Sequence, residues 1–570
     1  MASHLNPSTS LLQALSKLFS LLRLDKKDIS KIYIFAILAG LISLSLPLGI
    51  QTIITFVQTT EIRASIIVLI FIVVFGVFLN GLVQVRQMQI IEKLEQKIFT
   101  RYSLEFADRL PKLNIEKLDK YYLPELVNRF FDIPALTKGI EKIMLEVPAA
   151  IIQIIFGLIL LSFYHPVFIA FGILLIFIVV LIIRFTSPQG LATSLRASDY
   201  KYGIAAWLEE IARVIKSFKY SKGTSLHMKK TDELVWMYLD SRTAHFKILL
   251  LQYWSFIAFK IIITMAMLVM GVVLLVNQQM NVGQFVAAEI VIITIINSVE
   301  KLIASLDKVY DTLTSIQKLS KVLDSEIEQF GSLTLANEHK GISIKFDKVN
   351  FGYTDNINDA DLVISDITFN IKSGSFVCIT GVSGSGKSSI LKLLTGAFKN
   401  FNGSILLEDV PIGNYNLQSL RNQTGVLLSQ QDIFQGTLLE NITMTNKHTS
   451  LEEITQLAEK IGLIEFIQSN KDGYDTILDP LGKRLSKKIK QDILLLRVLI
   501  GKHRLLLLEE PFNHLEKEQK DAVINFLKNE KNATIIITSE DESTIKECDV
   551  ILKLVNGKLV NTIINHNTTS

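Results

Sequence analysis

The sequence predicts a multidomain protein, with an all-α transmembrane domain of six helices followed by an α/β domain that carries a phosphate-binding loop. The length of 570 residues exceeds that of one domain, and 49% of the residues are apolar against 20% charged. Ordinary soluble domains carry about 25% charged residues, and these figures also exclude a disordered chain, collagen and a coiled coil. The apolar excess is concentrated before about residue 310. We therefore expect a membrane part followed by a soluble part.

The six spans follow from four stretches without Asp, Glu, Lys or Arg, at residues 32–60, 64–85, 147–183 and 261–288. A bilayer core requires about 20 apolar residues in a helix. His165 and Pro166 divide the third stretch into two spans, and the polar turn at 277–283 separates the fifth span from the sixth. Buried core helices are the alternative, which four runs of more than about 18 residues disfavour.

The connections between spans predict the orientation. The short first, third and fifth connections contain one cation, Arg63, whereas residues 86–146 and 184–247 each carry eleven Lys plus Arg. Because cytoplasmic loops are enriched in Lys and Arg, we expect both long connections and both termini in the cytoplasm. The spans should continue into the cytoplasm as long helices, with turns around 121–128 and 205–212.

The predicted domains follow from these patterns. Residues 1–30 form an amphipathic interfacial helix with no cleavable signal expected, residues 31–325 the transmembrane domain, 326–341 a linker and 342–570 the α/β domain. Two ionisable residues, Lys260 and Glu289, fall inside predicted spans. An ionisable residue inside a span usually faces a protein interior or a watery cavity and marks a path used in function. Lys260 has the alternative of snorkelling, in which its ammonium reaches the membrane interface. About 15 Å of helix separates their depths, so they should not pair.

The α/β domain contains a phosphate-binding motif. An apolar strand at 376–380 precedes the Gly-x4-Gly-Lys-Ser run, which a helix follows. Its glycines let backbone N–H groups surround phosphates, Lys387 reaches the β- and γ-phosphates, and Ser388 offers a hydroxyl to Mg²⁺. A second apolar strand, 505–508, ends at two carboxylates. Glu509 suits Mg²⁺ binding, and Glu510 suits polarisation of the attacking water.

Besides the phosphate-binding motif, three segments support a family resemblance: Leu428-Ser429-Gln430-Gln431-Asp432, the run 434–442 and Leu485-Ser486. The chain resembles an exporter-type ABC half-transporter over nearly its whole length. The resemblance implies that Tyr353 stacks on adenine, that Gln430 contacts Mg²⁺, that Glu509 and Glu510 fill the Walker B positions and that Ser486 belongs to the signature motif. The segment 128–132 resembles the segment that follows the first coupling helix, 207–210 resembles the second, and 513–516 resemble the D-loop. The Walker A loop is then formed by Gly381, Val382, Ser383, Gly384, Ser385, Gly386, Lys387 and Ser388, and Ser389 is expected to bind the nucleotide with them.

Several residues depart from the family pattern. Lys487, Lys488 and Ile489 replace the Gly-Gly-Gln of the signature, and Ser539 occupies the position of the switch histidine. Glycine allows close backbone approach to phosphate, and serine cannot supply the contacts of an imidazole. Glu509 and Glu516 also stand where the family has aspartate. The resemblance therefore implies firm ATP binding but slow hydrolysis in a homodimer, with more turnover beside a regular partner.

These observations predict a subunit of an ATP-driven membrane exporter that binds ATP and Mg²⁺ and pairs with a second half-transporter, identical or different. A non-hydrolysing regulatory or heterodimer-completing half is the alternative, and a membrane-anchored kinase or GTPase would explain neither the six spans nor the signature. We expect an integral protein of the bacterial inner membrane with a cytoplasmic cassette. The substrate is a peptide, a protein or a lipid-like compound, and the sequence does not decide among these three classes. A periplasmic adaptor is a further candidate partner, and no nucleic acid is expected. Cys378 and Cys548 permit one disulfide at most.

Overall fold

The computed structural model describes residues 11–58, 64–114, 116, 123–328, 331–336, 338–354, 362–429, 431–444 and 449–565. The chain forms two compact units. The first extends to Glu326, and the second begins at Ile327 and includes a short earlier segment at Leu113. Leu113 and Ile327 form an isolated antiparallel bridge within the second unit.

The first unit is helical in the part that the structure describes, with short 3₁₀ turns at Leu110–Lys112 and Arg129–Phe131. Its helices are α1 (Leu11–Arg23), α2 (Lys26–Ser43), α3 (Ser45–Gln58), α4 (Ala64–Arg109), α5 (Leu123–Asn128), α6 (Asp132–Tyr164), α7 (Val167–Arg213), α8 (Ile215–Tyr220), α9 (Leu226–Val276) and α10 (Val282–Leu323).

Six helical segments of the described chain are long and apolar enough to cross a membrane, which confirms the predicted count. They are Lys26–Gln58, Ala64–Lys112, Leu126–Tyr164, Val167–Arg213, Leu226–Val276 and Val282–Leu323. The later five have 39 to 51 residues, well beyond the roughly 20 that a bilayer core requires. The prediction that the spans continue as long helices is therefore confirmed.

The ends of the helices confirm some predicted turns and correct another. α6 and α7 meet at His165 and Pro166, and α10 begins at the Asn281–Gln284 capping box. The turn predicted at 205–212 was wrong, because α7 continues to Arg213 and the short connecting helix is α8. Residues 205–212 consist mainly of Ala, Leu and Glu, which favour helix over turn. Of the turn predicted at 121–128, residues 121 and 122 lie outside the described residues.

The first span contains a break that we did not predict. α2 ends at Ser43 and α3 begins at Ser45, two residues before Pro47. Proline lacks the N–H that would bond to the carbonyl of Ser43 one turn earlier. The break therefore has a local cause in the sequence.

Polar side chains join three of the long helices. The His245 ring of α9 contacts Thr193 of α7 through Nδ1 at 3.0 Å and Asp307 of α10 through Nε2 at 3.3 Å. The buried Gln252 amide donates to Thr186 Oγ1 at 2.8 Å and to Tyr310 Oη at 2.7 Å. Because buried polar groups are costly without partners, these bonds help to fix the packing of α7, α9 and α10.

The two predicted intramembrane ionisable residues differ in environment. Lys260 is exposed on α9, and Glu289 of α10 is half-buried. The Glu289 Oε2 atom has no hydrogen-bond partner among the residues that the structure describes. The role of both residues in a transport path stays a prediction.

Helix α1 buries part of its apolar face against protein. Ala14, Leu18 and Leu22 are buried, whereas Leu12 and Phe19 are exposed. Lys17 also forms an ion pair of 2.6 Å with Asp324 just after α10. Only the exposed apolar residues therefore remain free to contact lipid, and the interfacial placement of this helix stays a prediction.

The second unit combines two main sheets with flanking helices. Its strands are β1 (Ile344–Phe351), β2 (Ile364–Ile371), β3 (Phe376–Thr380), β4 (Phe401–Leu407), β5 (Val410–Pro411), β6 (Thr424–Leu427), β7 (Gly436–Thr437), β8 (Ile477–Leu478), β9 (Leu505–Glu509), β10 (Thr534–Thr538), β11 (Val550–Val555) and β12 (Lys558–Ile564). Its helices are α11 (Lys387–Leu394), α12 (Leu417–Asn422), α13 (Leu438–Thr443), α14 (Leu451–Ile461), α15 (Ile464–Ser469), α16 (Lys487–Leu499), α17 (Lys517–Asn529) and α18 (Glu542–Lys546).

The larger sheet positions the site. Its strand order is β12-β11-β3-β10-β9-β6, and all neighbours are parallel except the edge pair β11 and β12. Strands β3, β10 and β9 are adjacent and fully or almost fully buried. The loops that follow them therefore meet at one edge of the sheet, where α/β proteins bind ligands. The smaller sheet is antiparallel, with the order β2-β1-β4-β5. Cys378 and Cys548 are buried and free.

Candidate functional site

The loop between β3 and α11 forms a cradle lined by backbone. Gly381, Gly384 and Gly386 all have positive φ, at 148°, 82° and 99°. A Cβ on Gly381 would overlap the carbonyl of Leu554, so the first glycine is required by space as well as by conformation. The loop ends at the start of α11, whose unpaired N–H groups and dipole favour an anion.

A cavity of about 370 Å³ lies over this loop. This volume falls within the range of small-molecule sites, about 300–1,000 Å³. Its lining includes the predicted residues Ser383, Gly384, Ser385, Gly386, Lys387, Ser388, Ser389, Glu509 and Glu510. The structure therefore brings the Walker A and Walker B candidates together, although more than 100 residues separate them in sequence.

Lys387 is held in place by oxygen atoms. Its side chain is 8% exposed. The ammonium donates to the carbonyl of Gly381, to the carbonyl of Val382 at 3.2 Å and to Glu540 Oε1 at 2.8 Å. A lysine ammonium has three donors, so all three have acceptors in this arrangement.

The two carboxylates after β9 have different partners. Glu509 accepts a hydrogen bond from the Ser388 hydroxyl and another from the Ser429 N–H at 2.7 Å. Glu510 accepts from Asn513 Nδ2 at 2.6 Å. The backbone of Glu510 is left-handed (φ 45°), a conformation that is strained for a non-glycine residue and recurs at functional sites.

The oxygen atoms around Ser388 fit a magnesium ion. Mg²⁺ prefers hard oxygen ligands and commonly binds one or two carboxylates together with phosphate oxygens. The Ser388 hydroxyl and the Glu509 carboxylate are in direct hydrogen-bond contact, so both oxygens are available at one point of the cavity. Gln430, the third predicted ligand, lies outside the described residues.

Tyr353 lies close to the phosphate loop. Its hydroxyl is 3.1 Å from the Ser389 hydroxyl, and Lys392 Nζ stands 5.1 Å from the ring centroid. The rings of Phe351 and Phe398 contact it edge-on. The side chain remains 41% exposed, so a ring surface is available for a base, and its role in stacking stays a prediction.

The structure places Ser539 and Ser486 apart from the cavity over the loop. Ser539 follows β10 and lines a neighbouring cavity of about 390 Å³ that also contains Glu510. Its hydroxyl accepts the N–H of Asp541 at 3.2 Å. Ser486 caps α16 by accepting the N–H of Ile489 at 3.2 Å, and it lines neither cavity.

Two carboxyl groups of the second unit have perturbed pKa values. Lys520 and Ser543 bond to the carboxylate of Asp541 and hold its pKa well below the usual range. Burial raises the pKa of Asp492, on α16, to about 7, and the charge of Lys488 opposes this only partly. Asp541 is therefore a fixed negative charge at neutral pH, whereas Asp492 titrates there.

Glu540 is a site residue that we did not predict. It contacts Lys387, which we had assigned to phosphate alone. The sequence did contain a signal for this contact. Glu540 is the second residue after the strand Thr534–Thr538, which pairs in parallel with the strand before the phosphate loop. Parallel neighbouring strands place the loops that follow them at the same edge of the sheet.

Comparisons with known proteins agree with this geometry. A sequence model of the ABC transporter transmembrane region matches residues 29–299, and a model of the ABC transporter cassette matches residues 364–513. Together they cover about three quarters of the chain.

Curated relatives match about half of the chain. The "Alpha-hemolysin translocation ATP-binding protein HlyB" of Escherichia coli O157:H7 is 29% identical over 289 residues, 50% of this chain and 40% of the relative. A "Probable ABC transporter ATP-binding/permease protein" of Haemophilus influenzae is 30% identical over 295 residues, 51% and 52% respectively. The "Toxin RTX-III translocation ATP-binding protein" of Actinobacillus pleuropneumoniae is 29% identical over 293 residues, 51% and 40%. The matches thus span only about half of these relatives or less.

One solved structure covers almost the whole fold. A bacterial Atm1-family ABC exporter with ATP bound superposes with a TM-score of 0.84 and 19% sequence identity, over 94% of this chain and 95% of the other. The predicted fold class, a six-helix membrane domain followed by an α/β cassette, is confirmed.

Proposed function

The chain belongs to the ABC transporter family, with membrane region and cassette in one polypeptide, and we propose that it forms one half of an exporter driven by ATP. One observation carries this proposal. The cavity over the phosphate loop, with Lys387 and Ser388 in its lining, belongs to the same polypeptide as six helices able to cross a membrane. Family membership implies ATP binding and an integral membrane protein, and half-transporters of this kind typically act as dimers.

Each site residue has a defined part in the proposed function. The backbone of the loop surrounds the phosphates, and Lys387 neutralises their charge. Glu510, at the strained position after β9, orients and polarises the attacking water. Tyr353 stacks on the adenine ring.

Mg²⁺ would be held by Ser388, Glu509 and Gln430. When bound, the ion neutralises charge on the phosphates. Glu509 already accepts hydrogen bonds from the Ser388 hydroxyl and from the Ser429 N–H, and these bonds keep its carboxylate directed at the loop.

The dimer mate supplies the remaining contacts. In the proposed assembly, the signature of each cassette approaches the nucleotide held by the other. Here Ser486 caps α16, while Lys487 and Lys488 stand where the family has glycine. Hydrolysis should therefore be slow in a homodimer and faster when a partner supplies a regular signature.

We further propose export of a peptide or protein from the cytoplasm across the bacterial inner membrane, with the cassette and both termini cytoplasmic. The names of two relatives, which describe translocation of a hemolysin and of a toxin, support this substrate class over a lipid-like compound. A periplasmic adaptor belongs to the same proposal. The names describe translocation or permease proteins, which favours transport over the non-hydrolysing regulatory alternative.

Nucleotide binding by the purified full-length protein tests the proposal. We expect Lys387→Ala to weaken binding of a fluorescent ATP analogue by about tenfold or more, because charge-assisted hydrogen bonds to phosphate are lost. Lys372→Ala is the matched control, since Lys372 is an exposed lysine of the same unit. Equal affinity in all three proteins, or no binding in the unaltered protein, would contradict the proposed site.

A further inference from the structure

The ammonium of Lys387 is already saturated by protein oxygens. Two of its three acceptors are carbonyls of the phosphate loop, and the third is Glu540 Oε1 at 2.8 Å. A terminal phosphate can bond to this ammonium only if one acceptor is displaced. The two carbonyls belong to the loop itself, so the side chain of Glu540 is the group that can move away.

From this arrangement we infer that Glu540 is a specificity-determining residue of the nucleotide site, which occupies the terminal-phosphate contact of Lys387 and biases the site toward the nucleoside diphosphate. The inference rests on the proposed function of ATP binding. It concerns the relative affinity for two nucleotides, not whether a nucleotide binds.

The location of Glu540 supports displacement. The residue lies between β10 and α18, outside both elements, and its side chain is 55% exposed. Its partner Lys387 is almost fully buried at 8% exposure. The carboxylate therefore approaches the ammonium from the open side of the site, and it can rotate into solvent at little cost.

Charge determines which nucleotide displaces it. A triphosphate places its terminal phosphate at Lys387 and so brings a second anion to the position of the Glu540 carboxylate. The terminal phosphate and the Glu540 carboxylate would both contact the Lys387 ammonium, and two negative charges so close together repel each other. A partly buried site screens this repulsion less than water does. A diphosphate brings only its β-phosphate to Lys387 and leaves the γ-phosphate position empty, so less negative charge faces the Glu540 carboxylate.

The surrounding charges do not offset this repulsion. The neighbouring cavity is lined by Glu510, Glu540 and Asp541 as acids. Its cation, Lys520, is already bonded to Asp541 and to Ser543 at 2.6 Å. In this cavity Glu540 therefore faces further negative charge, and Lys387 is its ion-pair partner.

The test compares Glu540→Gln with the unaltered full-length protein in detergent. Dissociation constants are measured for ADP and for a non-hydrolysable ATP analogue at equal Mg²⁺ concentration. We expect the ratio of the ADP constant to the ATP-analogue constant to rise about tenfold, because a neutral amide removes the competing anion. Glu540→Ala should shift the ratio in the same direction. Glu542→Gln, an exposed acid two residues further on, should leave it unchanged.

The possible outcomes separate the inference from the proposed function. An unchanged ratio in both Glu540 variants, with nucleotide still bound, overturns the inference and leaves the proposed function standing. An equal rise in Glu542→Gln also overturns it, because the effect would then be one of net charge alone. If the unaltered protein binds neither nucleotide, the proposed function fails and the inference fails with it.

Discussion

The carboxyl group of Asp492 is buried without a full set of partners. The residue is 1% exposed on α16, and its Oδ1 has no hydrogen-bond partner in the described part of the chain. Burial raises its pKa from 3.8 to about 7. In the unfolded chain the group ionises near pH 4, so between about pH 4 and 7 the folded state binds more protons. The contribution of this carboxyl group to the free energy of unfolding therefore falls as the pH rises from about 4 to about 7.

Asp492→Asn should stabilise the cassette at alkaline pH. A shift of about three pKa units corresponds to at most about 4 kcal/mol in the free energy of unfolding. We therefore expect the variant to be more stable than the unaltered protein by about 2–4 kcal/mol at pH 8. The difference should disappear near pH 4, where the native carboxyl is also neutral. Thermal unfolding of the full-length protein in detergent across this range measures the effect. Asp521→Asn, an exposed carboxylate on α17, is the control. A gain that is the same at every pH would contradict the assigned protonation.

The Ser539 hydroxyl, at the position that we predict for the switch histidine, accepts the N–H of Asp541. We expect Ser539→His to raise the ATPase rate of the purified protein by about tenfold or more, because one lost donor at a phosphoryl-transfer site commonly costs about 10² to 10³ in rate. Ser539→Ala should leave the slow rate unchanged. A rate typical of the family in the unaltered protein would contradict the predicted impairment.

Site residues were predictable where they are consecutive or end a strand. The run from Gly381 to Ser389 and the pair Glu509 and Glu510 could be identified because a phosphate site requires those residue types in that order. The contact of Glu540 with Lys387 could not, because it joins residues 153 positions apart and depends on the reach of two flexible side chains. Sequence patterns predict which loops meet at a sheet edge, but they do not predict which side chains touch there.

Helix α16 begins at the predicted signature segment. Ser486 caps the helix, and Lys488 forms an ion pair of 3.1 Å with Glu516 at the start of α17. Lys488 and Glu516, two predicted departures from the family pattern, are therefore partners of one another. Lys487 is exposed.

The double substitution Lys487→Gly with Lys488→Gly should increase the ATPase rate of a homodimer by about tenfold or more, because the backbone N–H groups can then approach the opposite phosphate. Two glycines in a helix cost up to about 1 kcal/mol each, so the thermal midpoint is recorded for each variant. Lys471→Gly, an exposed lysine elsewhere in the unit, controls for the lost charge. An unchanged rate in a folded variant would place the defect elsewhere.

At the level of elements, helix existence was predictable and helix ends were less so. Uncharged runs and the turns at His165 and at 277–283 fixed six spans correctly. The connection after α7 was placed too early, although the Ala, Leu and Glu residues of 205–212 already favour helix. The helix is also held there by bonds from the Trp207 indole to His227 and Thr231 of α9. Such contacts lie outside any local window of sequence.

Across the whole molecule, charge asymmetry is the basis of the proposed orientation. The two long connections each hold eleven cations, and the three short ones hold one among them. The bias of Lys and Arg near the ends of spans sets their orientation. The short connections are thus expected outside, and the cassette, which follows the sixth span, inside.

Cysteine labelling in intact bacterial cells tests this orientation. Gln279 lies in the short connection between α9 and α10, and Lys222 lies between α8 and α9; both are exposed. We expect a membrane-impermeant maleimide to label Gln279→Cys in intact cells and to label Lys222→Cys only after permeabilisation. The native Cys378 and Cys548 are buried, so the unaltered protein should give a low background and serves as the control. Labelling of Lys222→Cys in intact cells, with Gln279→Cys protected, would reverse the proposed orientation, place the cassette outside the cell and leave it without cytoplasmic ATP.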